Sequence, residues 1–498
     1  MKTVCLIIPP SVFLLDERVF VNLGVLKVAA SLEAAGWGVE VLDLSGYQNF
    51  PEAVQVHTRT SRADVFGISA TTAQMPATRE IVQAIREISP QKKIILGGPH
   101  PTLVVAAQKR ERKLNISGRA TAALEQLASM CDVVVAGDGE KAIFFACEEN
   151  APKVVDADDR RSELFLTNQE LENTNPPARG LIDMDSYHYQ IDGVRATSLI
   201  AQLGCPFGCG FCAGRLSPML RNIRTRSSEN IVEEMVSINH EYGYRGFMFY
   251  DDELNVNKDM VALMRAIKQA QQRLGQEWRL RGFIKAELFT KEQAHAMYEA
   301  GFRWILVGFE SGSPRILENI KKRASREDNT RCMDIARESG LKVKALMSVG
   351  HPGESRETIA ETRQWLLDVR PSDFDVTIIT PYPGSPYYDE AVLEEGRWVY
   401  TCSNGDRLYQ TPVNYLEEAD YYKGDPDDGY VSHVATDALS PKEIVRLRDL
   451  VEREVRAALK IPFNPGAAAT LYEHSMGQTR LPSRMLRSSG TAVGGSQR

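Results

Sequence analysis

Short apolar runs alternate with amphipathic segments through the first 150 residues. The runs predict strands at 4–8, 39–44, 65–69, 94–96 and 133–136, and apolar positions at helical spacing predict helices at 24–35 and 76–88. Continuous apolar strands between amphipathic helices are typical of an α/β fold with a parallel, doubly wound sheet. Such a sheet binds ligands at the carboxyl ends of its strands, so we expect a site there.

A second series of strands and helices begins at Ser198. Apolar runs predict six strands, at 198–203, 246–250, 279–284, 304–309, 343–349 and 375–379. Amphipathic stretches predict helices at 228–242, 258–273, 291–300, 326–339 and 355–369. This series predicts a partial TIM-type barrel, (β/α)6, because a complete barrel has eight units in about 250 residues. Functional residues of such barrels lie at the C-terminal ends of the strands.

The remaining stretches set the expected domain boundaries. We expect a Rossmann-like domain at 1–150, a linker at 151–195, the partial barrel at 196–387, a small mainly helical segment at 388–474 and a disordered tail at 475–498. A helix at 441–459 is the clearest periodic element of the C-terminal segment, which could close a substrate pocket as a lid.

Composition narrows the possible functions. The 498 residues carry 59 Lys and Arg against 66 Asp and Glu, and a net charge of −7 disfavours non-specific binding to nucleic acid. We find no signal peptide and no apolar stretch long enough to span a bilayer, which predicts a cytoplasmic protein. In that reducing compartment, clustered cysteines indicate metal or redox chemistry rather than disulfides.

Three of the eight cysteines, Cys205, Cys209 and Cys212, lie within eight positions. Their C-x3-C-x2-C spacing directly follows a predicted strand and contains glycines that permit a tight turn. Three thiolates cannot complete a four-ligand structural zinc site, but they can hold three irons of a [4Fe–4S] cluster and leave the fourth iron open. The alternatives are a zinc site completed by a remote residue and cysteines that only pack.

This motif at the end of the first barrel strand resembles the radical S-adenosylmethionine (SAM) superfamily, and the resemblance covers residues 195–390. It implies that the three cysteines are the catalytic cluster ligands and that the open iron binds SAM. It also implies SAM contacts near the strand ends, from Phe211, Asp252, Glu253, Glu310, Ser311 and Gly350. The usual Gly-Gly-Glu is replaced here by an Asp-Asp-Glu segment, so Asp252 and Glu253 carry equal weight. Taken singly, these residues have structural explanations as turns and helix-dipole partners.

The N-terminal domain resembles the cobalamin-binding domains of the same superfamily. It has neither the G-x-G-x-x-G of a nicotinamide site nor a Walker A sequence. Ser69-Ala70-Thr71 followed by Gly97-Gly98 is similar to the S-x-[LT]…G-G pattern whose residues line a slot for the nucleotide tail. The resemblance implies cobalamin contacts from Pro10, Ser69, Thr71, Thr72, Gly97, Gly98, His100, Gly137 and Glu140.

One part of the cobalamin pattern is missing. Residues 21–27 contain neither the Asp nor the His of the D-x-H-x-x-G motif, so the resemblance implies a cobalt without a His lower ligand. His100 then contacts the tail or ends a strand rather than binding the metal. The alternative is that the domain has lost cobalamin and only packs on the barrel.

Together the two resemblances imply a cobalamin-dependent radical SAM methyltransferase. A methyl group would pass from SAM, via methylcobalamin, to an unactivated carbon or to phosphorus of a small-molecule substrate. An electron donor such as flavodoxin or ferredoxin would reduce the cluster. The alternative is an oxidative cyclase or rearrangement enzyme that transfers no methyl group. Sulfur insertion is disfavoured, because the chain has no second three-cysteine motif.

Substrate contacts are expected from side chains at the barrel rim and in the C-terminal segment. The candidates are Trp304, His351, Tyr382, Tyr387 and the stretch 415–428, which is rich in tyrosine and acidic residues. For that stretch, a packed surface lid is an equal alternative.

Overall fold

The computed structural model describes residues 2–11, 14, 16–418 and 430–462. The expected disordered tail at 475–498 and most of the stretch 415–428 lie outside these residues. No helix in the described part of the chain is long and apolar enough to cross a membrane.

The first sheet confirms the predicted doubly wound architecture. Its strands are β1 (Thr3–Ile8), β2 (Gly38–Asp43), β3 (Val65–Ser69), β4 (Lys93–Gly97), β5 (Val133–Gly137) and β6 (Val154–Ala157). Its helices are α1 (Leu23–Ala34), α2 (Phe50–Thr60), α3 (Met75–Ile88), α4 (Pro99–Lys113), α5 (Arg119–Met130) and α6 (Gly139–Ala146), and α7 (Asn168–Asn173) follows. The strand order is β2-β1-β3-β4-β5-β6, all pairs are parallel, and separate apolar clusters cover the two faces. The sixth strand lies beyond residue 150.

The second sheet is an open half-barrel. Its strands are β7 (Gln190–Ile191) and β8 (Val194–Leu199), then β11 (Gly246–Phe249), β12 (Arg279–Ile284), β13 (Phe302–Glu310), β14 (Lys342–Val349) and β15 (Asp373–Ile378), while β9 (Gln202–Leu203) and β10 (Arg224–Thr225) pair separately. Its helices are α8 (Pro218–Arg221), α9 (Ser228–Tyr242), α10 (Met260–Leu274), α11 (Lys291–Ala300), α12 (Pro314–Asn319), α13 (Arg326–Glu338) and α14 (Arg356–Val369). Six strands, β8 and β11 to β15, run parallel, which confirms the predicted partial barrel.

The first barrel strand differs from its prediction. The strand expected at 198–203 divides into β8, which belongs to the barrel, and β9, which pairs with β10 in a separate two-stranded sheet. The division has a physical cause, because the backbone N–H groups of Ala201 and Gln202 donate to the Asp251 carboxylate instead of continuing the barrel ladder. An apolar run shows that a segment is buried but cannot show where its hydrogen bonds change partner.

The sequence predicted a mainly helical C-terminal segment, but its described residues, 388–418 and 430–462, are not mainly helical. After α15 (Pro386–Asp389) it forms an antiparallel sheet of β16 (Val392–Glu394), β17 (Arg397–Thr401), β18 (Arg407–Gln410) and β19 (Val434–Thr436), before α16 (Pro441–Leu459). These strands have three to five residues, too few for a period of two to be distinguished from loop sequence. The long helix was predicted correctly, and Ser440 begins it in a capping box with Glu443.

Candidate active site

The loop that carries the three clustered cysteines is held in place by hydrogen bonds to its backbone. Arg215 donates to the Gly208 carbonyl at 2.9 Å, and Arg221 donates to two further carbonyls of the loop. The Gly210 N–H donates to the Ile320 carbonyl at 2.7 Å, which ties the loop to the segment after α12. With its backbone bound in this way, the loop can present its thiols to a ligand.

The three predicted cluster ligands lie together on this loop. Cys205 and Cys209 are half-buried, Cys212 is exposed, and all three are free thiols. Three thiols are one ligand short of the four that close a structural zinc site. Burial raises the pKa of the Cys205 thiol to about 12, so a thiolate there needs a bound cation. The donor set therefore fits a polynuclear iron–sulfur cluster better than a single ion.

Two of the acidic residues after β11 anchor the start of the cysteine loop. Asp251 accepts hydrogen bonds from the N–H groups of Ala201 and Gln202, at 2.8 and 2.5 Å. Asp252 accepts from the N–H of Gly204 at 3.0 Å. Burial raises the pKa of Asp251 to about 7. These two carboxyls therefore position the backbone that precedes the cysteines.

Glu253, the third acidic residue, faces two buried lysines. Burial raises its pKa to about 7, although Lys322 and Lys285 act in the opposite direction. Lys285 forms an ion pair of 2.7 Å with Glu287, and its ammonium lies over the Phe207 ring of the cysteine loop. Sequence reasoning missed both lysines. Only the position of Lys285, immediately after a predicted strand, could have indicated a site residue.

Glu310 joins a series of buried, hydrogen-bonded side chains. Its carboxylate lies 2.7 Å from Lys322 Nζ and accepts from the Ser348 hydroxyl at 2.8 Å. Ser348 Oγ lies 2.8 Å from His351 Nε2, and His351 Nδ1 lies 3.4 Å from the Tyr387 hydroxyl. Because Ser348 donates to Glu310, His351 Nε2–H donates to Ser348, and burial keeps the ring neutral by lowering its pKa to about 4.

The backbone of Glu310 is strained. Its φ is 66°, in the left-handed region that non-glycine residues rarely occupy. The pairing of β13 with β14 also shifts register between Gly308 and Glu310. Strain of this kind in a well-packed segment is characteristic of functional sites.

The other predicted SAM residues occupy different environments. The Phe211 ring packs edge-on against His351, with ring centroids 5.5 Å apart, and so lies beside the Glu310 series. Gly350 precedes His351 with a φ of 91°. The Ser311 hydroxyl instead lies 2.9 Å from that of Thr362 on α14, on the outer side of the half-barrel.

The predicted substrate residues are likewise divided. His351 and Tyr387 belong to the buried series beside the cysteine loop. Trp304 lies near the start of β13, where its indole donates to Asp192 at 2.9 Å, away from the rim that carries the cysteines. Tyr382 packs against Tyr415, and the Tyr415 hydroxyl donates to a neighbouring carbonyl at 2.6 Å.

A cavity of about 360 Å³ lies at the carboxyl edge of the first sheet. Five predicted cobalamin residues line it, namely Ser69, Gly97, Gly98, Gly137 and Glu140. Its other walls are mostly apolar. One side is closed by residues just before and after the cysteine loop, namely Ile200, Leu203 and Met219. The size and lining fit the nucleotide tail of cobalamin, whereas the whole molecule exceeds this volume.

The two adjacent glycines of this edge have different roles. Gly98 has a φ of 96°, and an added Cβ would lie 2.7 Å from the Ala70 nitrogen, so the backbone itself requires glycine. A Cβ on Gly97 would meet only ordinary contacts with Val135, at 3.7 Å or more. Gly97 therefore keeps space open in the cavity rather than permitting a turn.

Four predicted cobalamin residues do not line the cavity. His100 is buried, its Nδ1 lies 3.1 Å from the Thr72 hydroxyl, and burial lowers its pKa to about 3. Thr71 caps the turn that leads into α3. Pro10 also lies outside the lining. Sequence reasoning missed three of the cavity's charged residues, Lys27, Arg226 and Glu234.

A buried ion pair joins the segment after the cysteine loop to the carboxyl edge of the first sheet. Arg224, which follows the cysteine loop, lies 2.6 Å from Asp138 at the end of β5, and the side chains are 3% and 4% exposed. Asp158, just after β6, accepts from the Ser217 hydroxyl and the Met219 N–H, each at 2.7 Å. These contacts hold the segment after the cysteines against the carboxyl edge of the first sheet.

Comparison with known proteins identifies both regions. Residues 199–366 match the radical SAM superfamily, and residues 17–128 match the B12 binding domain. The chain is 28% identical to an uncharacterized methyltransferase of Pyrococcus horikoshii over 350 residues, which are 66% of this chain and 69% of that protein. It is 24% identical over 358 residues to the anaerobic magnesium-protoporphyrin IX monomethyl ester cyclase of Cereibacter sphaeroides, covering 67% of this chain and 54% of that enzyme.

A solved structure shares the arrangement of the two sheets. The fold is similar to that of the radical SAM methyltransferase TsrM from Kitasatospora setae, which was solved with cobalamin and a [4Fe–4S] cluster bound. The TM-score is 0.63 and the identity 18%, over 81% of this chain and 82% of that chain. The family matches thus fall on the two regions that carry the cavity and the cysteine loop. The chain thus combines a radical SAM domain with a B12 binding domain, and its cofactors are a [4Fe–4S] cluster, SAM and cobalamin.

Proposed function

We propose that this protein is a methyltransferase that moves a methyl group from SAM to an unactivated carbon, or to phosphorus, of a small-molecule substrate. One observation supports it most directly. Leu203 lines the cavity that fits cobalamin, and the cluster ligand Cys205 follows two residues later. Both cofactor sites therefore share one short segment of backbone, as a reaction that uses both cofactors requires.

The bound groups supply the reactive chemistry, since the cluster with SAM provides an organic radical and cobalamin provides a methyl-carrying cobalt. The protein binds and orients them. Cys205, Cys209 and Cys212 would hold the cluster, and the Phe211 ring, next to Cys212 in the chain, would lie beside it. Glu253 and Glu310 provide carboxylates, and Lys322 an ammonium, for the polar groups of SAM. Ser69, Gly97, Gly137 and Glu140 border the nucleotide tail within apolar walls that exclude water.

The proposed reaction needs an electron and a reducing environment. A one-electron donor such as flavodoxin or ferredoxin would reduce the cluster. The cluster-binding thiols must stay reduced, and all eight cysteines of the chain are free. We therefore propose a cytoplasmic location, because that reducing compartment meets both requirements.

The test follows the two products of SAM. The full chain is reconstituted anaerobically with iron and sulfide, supplied with SAM and dithionite, and compared with and without hydroxocobalamin. We expect S-adenosylhomocysteine only with cobalamin, because it records loss of a methyl group, and 5′-deoxyadenosine as the record of radical cleavage. A chain that forms 5′-deoxyadenosine but no S-adenosylhomocysteine in either case would contradict methyl transfer.

The similarity to the magnesium-protoporphyrin IX monomethyl ester cyclase favours a second candidate, oxidative cyclisation without methyl transfer. SAM with a labelled methyl group separates the two. A methyltransferase places the label in its product, whereas a cyclase forms an unlabelled product and consumes SAM only to 5′-deoxyadenosine.

A further inference from the structure

A surface depression of about 610 Å³ lies directly against the cysteine loop. Gly208 and Arg215 of that loop form one side, and the segment from Pro314 to Glu327 forms the other. It shares no lining residue with the cobalamin cavity, so it approaches the cluster site from a different direction. Gly208 immediately precedes the cluster ligand Cys209, so little protein separates the depression from the cluster.

The depression is basic on an acidic protein. Two acidic residues, Glu318 and Glu327, line it together with four basic residues, Arg215, Lys321, Arg323 and Arg326. The chain as a whole has a net charge of −7. A local excess of positive charge on such a chain attracts an acidic partner and leaves the remaining surface unfavourable to it.

Two of these cations lie on a turn of unusual backbone conformation. Lys321 and Arg323 have φ of 54° and 65°, both left-handed, and both side chains are exposed. Between them Lys322 turns inward to Glu310, and its carbonyl accepts from Lys285 Nζ at 3.3 Å. The exposed cations are therefore attached to the same turn that provides a buried lysine to the active site.

We infer that this depression is the docking surface for an acidic one-electron carrier protein of the flavodoxin type. The inference rests on the proposed function, which requires reduction of the cluster. The carrier's flavin hydroquinone gives up one electron to become the semiquinone, and the cluster gains that electron without any bond forming. Docking here places the flavin close to the cluster, and electron transfer slows steeply with distance.

The experiment reverses two of the exposed charges. The variant Lys321→Glu/Arg323→Glu is compared with Arg446→Glu/Arg453→Glu, an equal charge change in another surface depression that includes Arg356. The probe is an acidic flavodoxin, and the protein is the full, anaerobically reconstituted chain. Two quantities are measured: the Kd of oxidised flavodoxin, and the rate of cluster bleaching by flavodoxin hydroquinone.

We expect the first variant to bind flavodoxin about tenfold more weakly and to be reduced correspondingly slowly at limiting flavodoxin. The control variant should stay within about twofold of the wild type, and the difference should shrink as salt screens the charges. With dithionite, both variants should cleave SAM as the wild type does. Equal flavodoxin binding by both variants would overturn the inference. It would also be overturned if Lys321→Glu/Arg323→Glu lost as much SAM cleavage with dithionite as with flavodoxin.

A different result would contradict the proposed function. If the wild-type chain with dithionite and cobalamin releases no S-adenosylhomocysteine, methyl transfer is wrong, whereas flavodoxin binding and cluster bleaching still measure the docking surface.

Discussion

The Lys322 ammonium lies 2.7 Å from the Glu310 carboxylate, and the two side chains are only 5% and 13% exposed. Burial alone would raise the pKa of Glu310, but Lys322 and the Ser348 hydroxyl outweigh it and hold that pKa below its usual value. Each partner keeps the other charged inside the protein, so removal of one leaves an uncompensated buried charge.

Lys322→Met should therefore lower the free energy of unfolding by about 3–5 kcal/mol and abolish SAM cleavage. The folded-state pKa of Glu310 is depressed below the unfolded-state value of about 4. Its contribution to stability is therefore present above about pH 4 and is lost as the pH falls through the depressed folded-state pKa. Urea unfolding and release of 5′-deoxyadenosine measure the two effects. Lys321→Met, at the exposed neighbour, should change stability by less than about 0.5 kcal/mol. A Lys322→Met protein as stable as that control would show that the pair does not stabilise the fold.

Asp251→Asn should make the protein relatively more stable at high pH. The folded-state pKa of Asp251 is raised to about 7, above the unfolded value of about 3.9, so the native state binds this proton more tightly. As pH rises through this window, the wild type loses stability that the amide variant keeps. Thermal unfolding should show the difference in Tm, variant minus wild type, increasing from pH 5 to pH 8. Asp64→Asn, at an exposed carboxylate, should give no such trend.

Gly97→Leu should impair cobalamin binding, whereas Gly98→Ala should impair stability. The leucine side chain would occupy the cavity while its Cβ makes ordinary contacts, so we expect at least about tenfold weaker cobalamin binding and a nearly unchanged Tm. Alanine at 98 meets the Ala70 backbone at a positive φ, so the Tm should fall. Cobalamin titration and calorimetry on both variants provide the comparison. If Gly97→Leu bound cobalamin with wild-type affinity, the nucleotide tail would not bind in this cavity.

Cys209→Ser should lower the iron content of the reconstituted protein from about 4 per chain and abolish SAM cleavage. Cys402→Ser is the matched control, since Cys402 is a buried cysteine outside the loop whose sulfur lies 4.0 Å from the Asn319 carbonyl oxygen. Iron analysis should distinguish them. Full iron content and SAM cleavage in Cys209→Ser would show that this cysteine is not a cluster ligand.

The apolar pattern predicted most strands of both main sheets because they are apolar runs, but it missed β6 and β7, which lie in the stretch predicted as a linker. It failed at β16 to β19, whose pairing depends on a few residues brought together from distant positions. It also failed at β9, where the backbone turns to the Asp251 carboxylate, 49 residues away in the chain. Hydrogen-bond partners at such separations leave no periodic signal in sequence.

The sequence by itself determined the donor set and the approximate positions of the sites. Three closely spaced thiols after a strand, and glycines at parallel strand ends, carry chemistry that depends on residue type. Only the tertiary structure decided the role of each residue. It showed that Asp252 binds the loop backbone whereas Glu253 faces buried lysines, that Gly97 rather than Gly98 keeps the cavity open, and that His100 lies outside it. Buried hydrogen bonds form between residues far apart in the chain, as at Glu310 and Ser348, and only packing brings such residues together.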